Sequence, residues 1–318
     1  LFFDAGTTST LKLIRAHSPH RLTSWSQNVN GKLIQTPHYV FSSPVAVIRK
    51  AVVCQGRYPL DVDGNLWVGG VRYFQRGLEM NGVVGEVAAS TEHIRSVIAD
   101  CNLPSLPSYN NRVLIGGRDN FGHFLFEFLP KFYACRDLFN TEVTFLVSSD
   151  VPPRFLDFAE LLGIPRKQIQ YFESGTSFRA ETLIVPSVSS HRHPQDNLPC
   201  VDSAAIVAMV KALKVAALPA TELRYADRIL YVSRQRERWR RLRNEIEIFN
   251  SISRYGNAVM IDPKDLSAAE QIAAFHSARA VVMPIGGASP TVMFCSPNSR
   301  VIELSTPSIS GIFGSFVW

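Results

Sequence analysis

The chain has 318 residues, of which 46% are hydrophobic and 19% are charged. These values are typical of globular proteins and exclude a largely disordered or collagen-like chain, and the length predicts about two domains. Lysine and arginine number 33 against 27 aspartates and glutamates, which gives a formal net charge of +6. This mild excess suits an anionic ligand, but it is too small to indicate a nucleic acid or a membrane surface by itself.

The cysteines and apolar runs predict the compartment. The five cysteines are scattered and form no CxxC pair, which favours buried thiols in a reducing compartment over zinc ligands or disulfides. The longest apolar run, residues 280–295, is broken by glycines and prolines, and no signal peptide is predicted at the start. We therefore expect a cytoplasmic protein, with any membrane association through a segment outside this chain. Because the first residue is Leu1 rather than Met, we expect a processed protein or part of a larger one.

The first two thirds of the chain begin β-rich and then become α/β. Strands are predicted at Val45–Val53 and Asn65–Val71, with Asp63-Gly64 as a hairpin turn between them. Segment 187–199 is polar and is predicted to be a loop. The remaining predicted elements are strands 112–115, 143–147, 169–172 and 182–185, and helices 121–138, 154–162 and 203–217, the last capped by Asp202.

The last hundred residues alternate regularly between strand and helix. Ser267 and Glu270 fit a capping box. The alternation predicts a parallel sheet with helices on both faces. The predicted fold is therefore α/β, with two Rossmann-like domains facing across a cleft, residues 1–219 and 220–318, and a β-rich start. The elements predicted here are strands 228–233, 258–261, 280–283 and 300–304, and helices 244–255, 267–279 and 289–295.

The first candidate site lies where the strand before residue 118 gives way to a helix. His123 and Glu127 are four residues apart, a spacing that places both on one helix face. A helix N-terminus disfavours imidazolium, so His123 is expected to be able to accept a proton. The apolar residues around the pair predict a mostly buried helix, in which ionisable groups need a cleft or a partner. The alternative is that His123 caps the helix and Glu127 is merely solvated.

Two further segments suit an anion. Residues 234–243 hold six basic residues after a strand, and guanidinium groups match phosphate oxygens. Residues 284–291 form a glycine turn between a strand and a short helix, where a phosphate can approach the backbone. A solvated basic loop and a packing turn are the alternatives. Trp239 among the arginines also allows base stacking by a nucleic acid.

Neither candidate metal group is favoured. Asp61-Val62-Asp63 matches a DxD pattern, but the turn preference of Asp-Gly accounts for it. His191, His193 and Asp196 fit an exposed loop better than a metal site. No metal is therefore predicted.

The block Asn120–Pro130 resembles the motif of glycosyltransferase family 61. The order and spacing of later segments continue this resemblance over about residues 110–305, and the chain is similar to the capsule and xylosyltransferase-like group. The matching segments are Leu230–Arg234, Arg241, Asn244-Glu245, Asp262-Pro263, Leu266-Ser267, Glu270-Gln271, Phe275–Arg279, Pro284–Ala288, Phe294 and Arg300–Leu304.

The resemblance implies a GT-B fold, with residues 1–219 on the acceptor side and 220–318 binding the nucleotide sugar. It implies an inverting, metal-independent hexosyl- or pentosyltransferase of polysaccharide biosynthesis, without a cofactor. The expected donor is a nucleotide-diphosphate sugar, UDP-linked in this group, and the expected acceptor is a glycan hydroxyl, with no nucleic-acid partner.

The site residues follow from this mechanism. His123 is expected to be the catalytic base, oriented by Glu127, with Asp119 or Glu127 itself as the alternative base. The expected donor-binding residues are Arg234 and Arg241 on the diphosphate with the backbone of Gly286, Gly287, Ala288 and Ser289, Glu303 on the ribose, Asp262 at the base, and Asn244 beside them.

One position departs from the family pattern. Ile285 stands where the family usually has a histidine before the glycine of this turn. A catalytically silent nucleotide-sugar-binding module is therefore the first alternative, and a nucleic-acid-binding protein that uses residues 234–243 is the second.

Overall fold

The computed structural model describes residues 2–4, 20–22, 26–29, 32–35, 38–40, 43, 45–54, 56, 58–60, 106–192, 199–221 and 224–305. The predictions for Asp61–Gly64, Asn65–Val71, His193 and Asp196 lie outside these residues. The chain forms two compact units that are interleaved in sequence. The first unit consists of residues 1–119, 127–152 and 164–206, and the second of residues 120–126, 153–163 and 207–318.

The described residues form strands and helices in the following chain order. The strands are β1 Phe2–Asp4, β2 His20–Leu22, β3 Ser26–Val29, β4 Lys32–Gln35, β5 His38–Val40, β6 Val45–Cys54, β7 Tyr58–Leu60, β8 Ser108–Gly116, β9 Thr144–Ser148, β10 Ile169–Phe172, β11 Phe178–Pro186, β12 Ser190–Arg192, β13 Pro199–Val201, β14 Ile229–Val232, β15 Ala258–Ile261, β16 Ala280–Pro284 and β17 Arg300–Leu304. The α-helices are α1 Phe121–His123, α2 Leu129–Ala134, α3 Asp157–Leu161, α4 Ser203–Ala217, α5 Glu245–Ser253 and α6 Ala268–Ser277.

The first unit is built on a mixed sheet. Among the described residues its strand order is β1-β6-β11-β8-β9-β10, with β7 paired to β6. Strands β11, β8, β9 and β10 are parallel, whereas β6 runs antiparallel to β11. The core on this sheet is made by buried side chains such as Val53, Leu114, Phe178 and Leu183. The carboxyl ends of β8, β9, β10 and β11 therefore meet at one edge of the sheet.

The prediction that residues 187–199 form only a loop is wrong, because the segment contains a strand. Residues 190–192 form β12, which pairs antiparallel with β13 in a sheet of order β12-β13-β5-β2. Strand β13 also pairs with β5, which lies far away in sequence, so the polar composition of the segment alone could not indicate this sheet. Strands β3 and β4 pair antiparallel in a separate two-stranded sheet.

The second unit contains a parallel sheet of order β15-β14-β16-β17. Its core includes the buried residues Ile229, Tyr231 and Val282. The capping box of α6 is present: Ser267 Oγ accepts from the Glu270 N–H at 3.2 Å, and Glu270 accepts from the Ser267 N–H at 2.8 Å. The predicted α/β class with parallel sheets is thus confirmed.

The predicted helix 121–138 is not one uniform α-helix. After the turn α1, residues Phe124–Phe128 are π-helical, α2 follows, and a 3₁₀ turn covers Arg136–Leu138. A π-helical segment winds more residues into each turn, and such segments are frequent at functional sites. The apolar periodicity does not distinguish this geometry from an ordinary α-helix.

Aromatic packing explains why two early segments belong to the second unit. Phe121 packs on Phe155 and Phe158 with ring-centroid distances of 5.1 and 5.6 Å. Phe158 in turn stacks on Phe294 at 6.1 Å. These contacts join segments 120–126 and 153–163 to the second unit, an arrangement that one boundary after residue 219 does not describe. The acceptor and donor roles of residues 1–219 and 220–318 stay predictions.

In the part of the chain that the structure describes, no helix has both the length and the apolar character needed to cross a bilayer.

Candidate functional site

The strand order of the second unit identifies where a ligand is expected. In the sheet, β14 lies between β15 and β16. The chain runs from β14 to β15 on one side, and from β16 to β17 on the other. The connections therefore leave β14 and β16 in opposite directions, and ligands of open α/β sheets bind at the carboxyl ends of such a strand pair. The residues that follow these two strands are Ser233-Arg234 and Ile285-Gly286.

Arg234 lies at this point as a buried cation. Its side chain is only 7% exposed, and its Nη2 donates to the Trp239 carbonyl at 3.1 Å. Nε is buried and has no hydrogen-bond partner among the described residues. Burial lowers the pKa of Arg234, while the neighbouring carboxylates of Glu237, Asp262 and Glu245 oppose that shift. An arginine stays charged in such surroundings, so an anionic ligand would satisfy it.

Glu245 holds the backbone of Arg234 in place. The carboxylate is 1% exposed and accepts from the Arg234 N–H at 3.0 Å, the Ser233 hydroxyl at 2.9 Å and the Tyr231 hydroxyl at 3.3 Å. Burial, with Glu245 adding to it, raises the pKa of Tyr231. The sequence-based site omitted Glu245. Two signals were available: its position in the first turn of α5, and its place beside Asn244 among the segments that resemble the family.

Replacing Glu245 with alanine is expected to lower the free energy of unfolding by about 3–5 kcal/mol, because buried donors lose their acceptor. Urea denaturation followed by circular dichroism measures the change. Glu247→Ala is the matched control, since Glu247 is exposed two residues later on the same helix. Equal stability of both variants would show that the carboxylate does not hold this strand end.

The glycine turn packs directly on Arg234. A Cβ atom on Gly286 would collide with the guanidinium group, so only glycine permits this approach. The Gly286 N–H donates to Ser289 Oγ at 2.9 Å, and the Ser289 hydroxyl donates to Glu303 Oε1 at 2.7 Å. Burial raises the pKa of Glu303, and this hydrogen bond opposes the shift. The backbone amide of Gly286 and one carboxylate oxygen of Glu303 therefore already have partners within the turn.

Two amides of the turn have no acceptor among the residues that the structure describes. These are the N–H groups of Gly287 and Ala288, which precede the 3₁₀ helix Ser289–Phe294. Of the four predicted backbone donors, these two suit an anion best. Ile285 is 2% exposed, and its N–H donates to the Leu304 carbonyl at 2.9 Å. It therefore brings no polar side chain to the turn.

The segment with His123 reaches this turn. Asn120 caps α1 by accepting from the His123 N–H at 3.2 Å. A Cβ atom on Gly122 would lie 3.1 Å from the Gly287 carbonyl oxygen, so the two glycines allow close approach of their backbones. The structure thus brings together three predicted parts of the site: the turn with His123, the glycine turn and Arg234. His123 itself is half-buried.

Glu127 is buried in the first unit, with Lys131 as its electrostatic partner. It is 3% exposed, and its charge opposes the shift that burial imposes on Lys131. Burial lowers the pKa of Lys131 to about 8. The Lys131 Nζ donates to the Ile115 carbonyl at 3.2 Å. Orientation of His123 by Glu127 stays a prediction.

The lowered pKa of Lys131 predicts a pH-dependent stability. Below pH 8 Lys131 is charged in both the folded and the unfolded protein. Because burial disfavours the charge, a pKa near 8 instead of 10.5 lowers the free energy of unfolding by about 3 kcal/mol. Lys131→Met is therefore expected to raise the free energy of unfolding by about 1–3 kcal/mol at pH 7. The difference should shrink as the pH rises from 8 to 10.5, because the lysine of the folded wild type then becomes neutral. Urea denaturation of both proteins across this range tests it; a pH-independent difference would contradict the shift.

The other predicted residues are placed as follows. Asp262 accepts from the Lys264 N–H at 2.9 Å and from Arg236 Nε at 2.6 Å, and Arg236 also pairs with Asp265 at 2.7 Å. Both carboxylate oxygens of Asp262 thus have partners within the protein, and its role at the nucleotide base stays a prediction. Three of the predicted site residues are exposed: Arg241, Asn244 and Asp119. Asn244 stands at the N-cap position of α5 without a side-chain cap bond.

The basic segment 234–243 is not a uniform cationic surface. Arg236 is paired with two aspartates, and Lys264 pairs with Glu237 at 2.5 Å. The Trp239 side chain is 65% exposed, with the Arg238 guanidinium 4.9 Å from its ring centroid. Much of this charge is therefore balanced locally. Within the described ranges, no cluster of three His, Cys, Asp or Glu side chains is arranged to hold a metal ion.

The comparison with known proteins agrees with the motif. The family model described as Glycosyltransferase 61 matches residues 121–302, more than half of the chain. No curated protein matches the chain. The matched range begins at the turn with His123 and includes Arg234, Glu245 and the glycine turn. The chain therefore belongs to glycosyltransferase family 61.

Proposed function

We propose that the protein is an inverting, metal-independent glycosyltransferase that moves a hexosyl or pentosyl unit from a UDP-linked sugar to a glycan hydroxyl. Membership of the family implies glycosyl transfer. The observation that supports the finer proposal is the buried guanidinium of Arg234, which lies against Gly286 after two adjacent parallel strands. A GT-B arrangement of two Rossmann-like domains is part of the proposal.

The diphosphate would bind to the cation and the free amides of the turn. Arg234 has an unsatisfied Nε and lies against Gly286, and the next two residues, Gly287 and Ala288, have N–H groups without an acceptor among the described residues. In the transition state the bond between the anomeric carbon and the diphosphate oxygen breaks, and negative charge grows on that oxygen. A preorganised cation in a buried position stabilises such charge most effectively. In this mechanism Arg234 and the turn perform the task that a divalent metal performs elsewhere.

His123 would act as the general base. The acceptor hydroxyl attacks the anomeric carbon from the face opposite the leaving group, which inverts its configuration, and its proton passes to the imidazole. The position of α1 supports this role, because Gly122 lies against the backbone of Gly287. Glu127 and Asp119 are the alternative bases.

Thermal-shift measurements against UDP, GDP and CMP, and against their sugars, test the donor. A ligand that binds the folded state raises its melting temperature. UDP and UDP-sugars are expected to stabilise the protein, both with and without EDTA. Stabilisation by GDP alone would change the donor class, and a requirement for divalent metal would contradict the metal-independent mechanism.

Gly286→Ala is expected to weaken UDP binding at least tenfold, because the added methyl group displaces the Arg234 guanidinium. Gly287→Ala should weaken binding less, since no described residue apart from its two chain neighbours has an atom within 4 Å of its Cβ position. Titration calorimetry with UDP measures both affinities. If the two variants bound UDP equally well, contact between Gly286 and Arg234 would not shape the site.

The silent binding module predicts a different pattern. The buried Ile285 leaves the turn without the histidine that the family usually has there, so the diphosphate contacts depend on Arg234 and the backbone. Such a module would bind UDP with normal dependence on Arg234 but would release no nucleotide from any donor.

A further inference from the structure

The first compact unit contains a cavity of about 220 Å³. Most of its described lining comes from residues at or just after the carboxyl ends of β8, β9, β10 and β11. Ligands of parallel α/β sheets bind at this edge. The volume is below the range of about 300–1,000 Å³ that holds drug-sized ligands, so it suits a smaller molecule such as one sugar unit.

A buried lysine lines this cavity. Lys131 is 6% exposed, and its Nζ lies 5.4 Å from the ring centroid of Phe128. An ammonium group has three donors, and the Ile115 carbonyl accepts one of them. Burial of an ammonium group is unfavourable unless its charge and donors are satisfied, so a buried lysine that lines a cavity is a candidate for binding or chemistry.

The cavity also holds a second cation and a carboxylate. Arg118 lines it after β8, and Asp150 lines it after β9. The Ser148 hydroxyl donates to Asp150 Oδ2 at 3.3 Å, and the Asp150 N–H donates to Ser148 Oγ at 3.3 Å. These bonds fix the aspartate loop. One ligand with an anionic group and several hydroxyl groups would complement both charges, because the cations bind the anion and a carboxylate accepts from hydroxyls.

We propose that this cavity binds an acidic sugar unit, with its anionic group on Lys131 and Arg118 and its hydroxyls on Asp150. The assignment of this sugar as part of the acceptor glycan rests on the proposed glycosyltransferase function. The anionic group is either a carboxylate or a phosphate, and the two are separate arms of the test.

The test is titration calorimetry at pH 7 with glucuronate, glucose 6-phosphate and glucose on the full chain. At least one of the two acidic sugars is expected to bind at least tenfold more tightly than glucose. Lys131→Met should remove this preference, and Asp150→Asn should weaken binding of the acidic sugar at least threefold. Lys167→Met is the matched control, because Lys167 is an exposed lysine of the same unit, and should leave binding unchanged. Whichever acidic sugar binds identifies the anionic group.

Equal affinity for glucose and both acidic sugars, or full affinity in Lys131→Met, would overturn the proposal. Asp150→Asn keeps it testable if Lys131→Met fails to fold, since Asp150 is exposed and its replacement is isosteric. UDP binding measured in the same samples separates the two proposals. Acidic-sugar binding without UDP binding would uphold the cavity and contradict the glycosyltransferase mechanism, and UDP binding alone would do the reverse.

Discussion

Replacing Arg234 with alanine is expected to lower kcat/KM for glycosyl transfer by about 10²–10³-fold, because the growing charge on the diphosphate loses its buried cation. UDP affinity should fall as well, since in the proposed mechanism the same guanidinium contacts the ground-state diphosphate. Arg234→Lys should recover only part of the loss, because an ammonium group lacks the planar fork of donors. Steady-state kinetics with the donor identified by thermal shift measures each parameter.

Arg243→Ala is the matched control for this experiment. Arg243 is an exposed arginine of the same loop and carries the same charge, so its replacement should change kcat/KM less than threefold. A comparable loss in both variants would mean that the loop acts through its total charge. Unchanged kinetics in Arg234→Ala would remove this residue from the diphosphate site.

Replacing His123 with alanine is expected to lower kcat by about 10²–10⁴-fold while UDP affinity stays close to that of the wild type. In the proposed mechanism the imidazole removes the acceptor proton only during the reaction, whereas Arg234 and the glycine turn hold the nucleotide. Asn120 should still begin the helix, because its cap bond is to the backbone N–H of residue 123. Kinetics and UDP calorimetry on the same preparation separate the two effects.

Glu127→Gln and Asp119→Asn distinguish the alternative bases. If His123 is the base, Glu127→Gln should lower kcat less than His123→Ala does, and Asp119→Asn should have little effect. Full activity of His123→Ala together with a large loss in either carboxamide variant would assign the base to that carboxylate.

The regular elements were the most predictable part of the fold. The predicted bounds 203–217, 258–261 and 300–304 coincide with α4, β15 and β17, since caps, turns and apolar runs agree there. Strands β8 and β11 extend beyond their apolar centres, because polar residues also join the ladder. The π-helical Phe124–Phe128 was missed, since its apolar pattern fits an α-helix equally well.

The site was predictable in its parts but not in its contacts. The sequence indicated the glycine turn, the arginine loop and the segment around His123, but it did not distinguish Arg234 from the exposed Arg241. That distinction depends on the packing of Arg234 against Gly286, which comes from a distant strand end. The hydrogen bond from Ser289 to Glu303 is likewise invisible in the sequence.

Lys131 shows a further limit of sequence reasoning. No sequence pattern indicated that Lys131 is buried, and only the fold shows that it lies in the lining of a cavity. Its lowered pKa follows from that burial. Tertiary contacts therefore decided which charged residues became candidates for binding.

The most direct test of the account is a donor turnover assay in EDTA with a panel of nucleotide sugars and glycan acceptors. Wild-type protein is expected to release UDP from one UDP-sugar in an acceptor-dependent manner, and proton NMR of the product should show an anomeric configuration opposite to that of the donor. Arg234→Ala should release UDP at least a hundredfold more slowly. Binding of UDP without turnover of any donor, or a product that retains the donor configuration, would contradict the account.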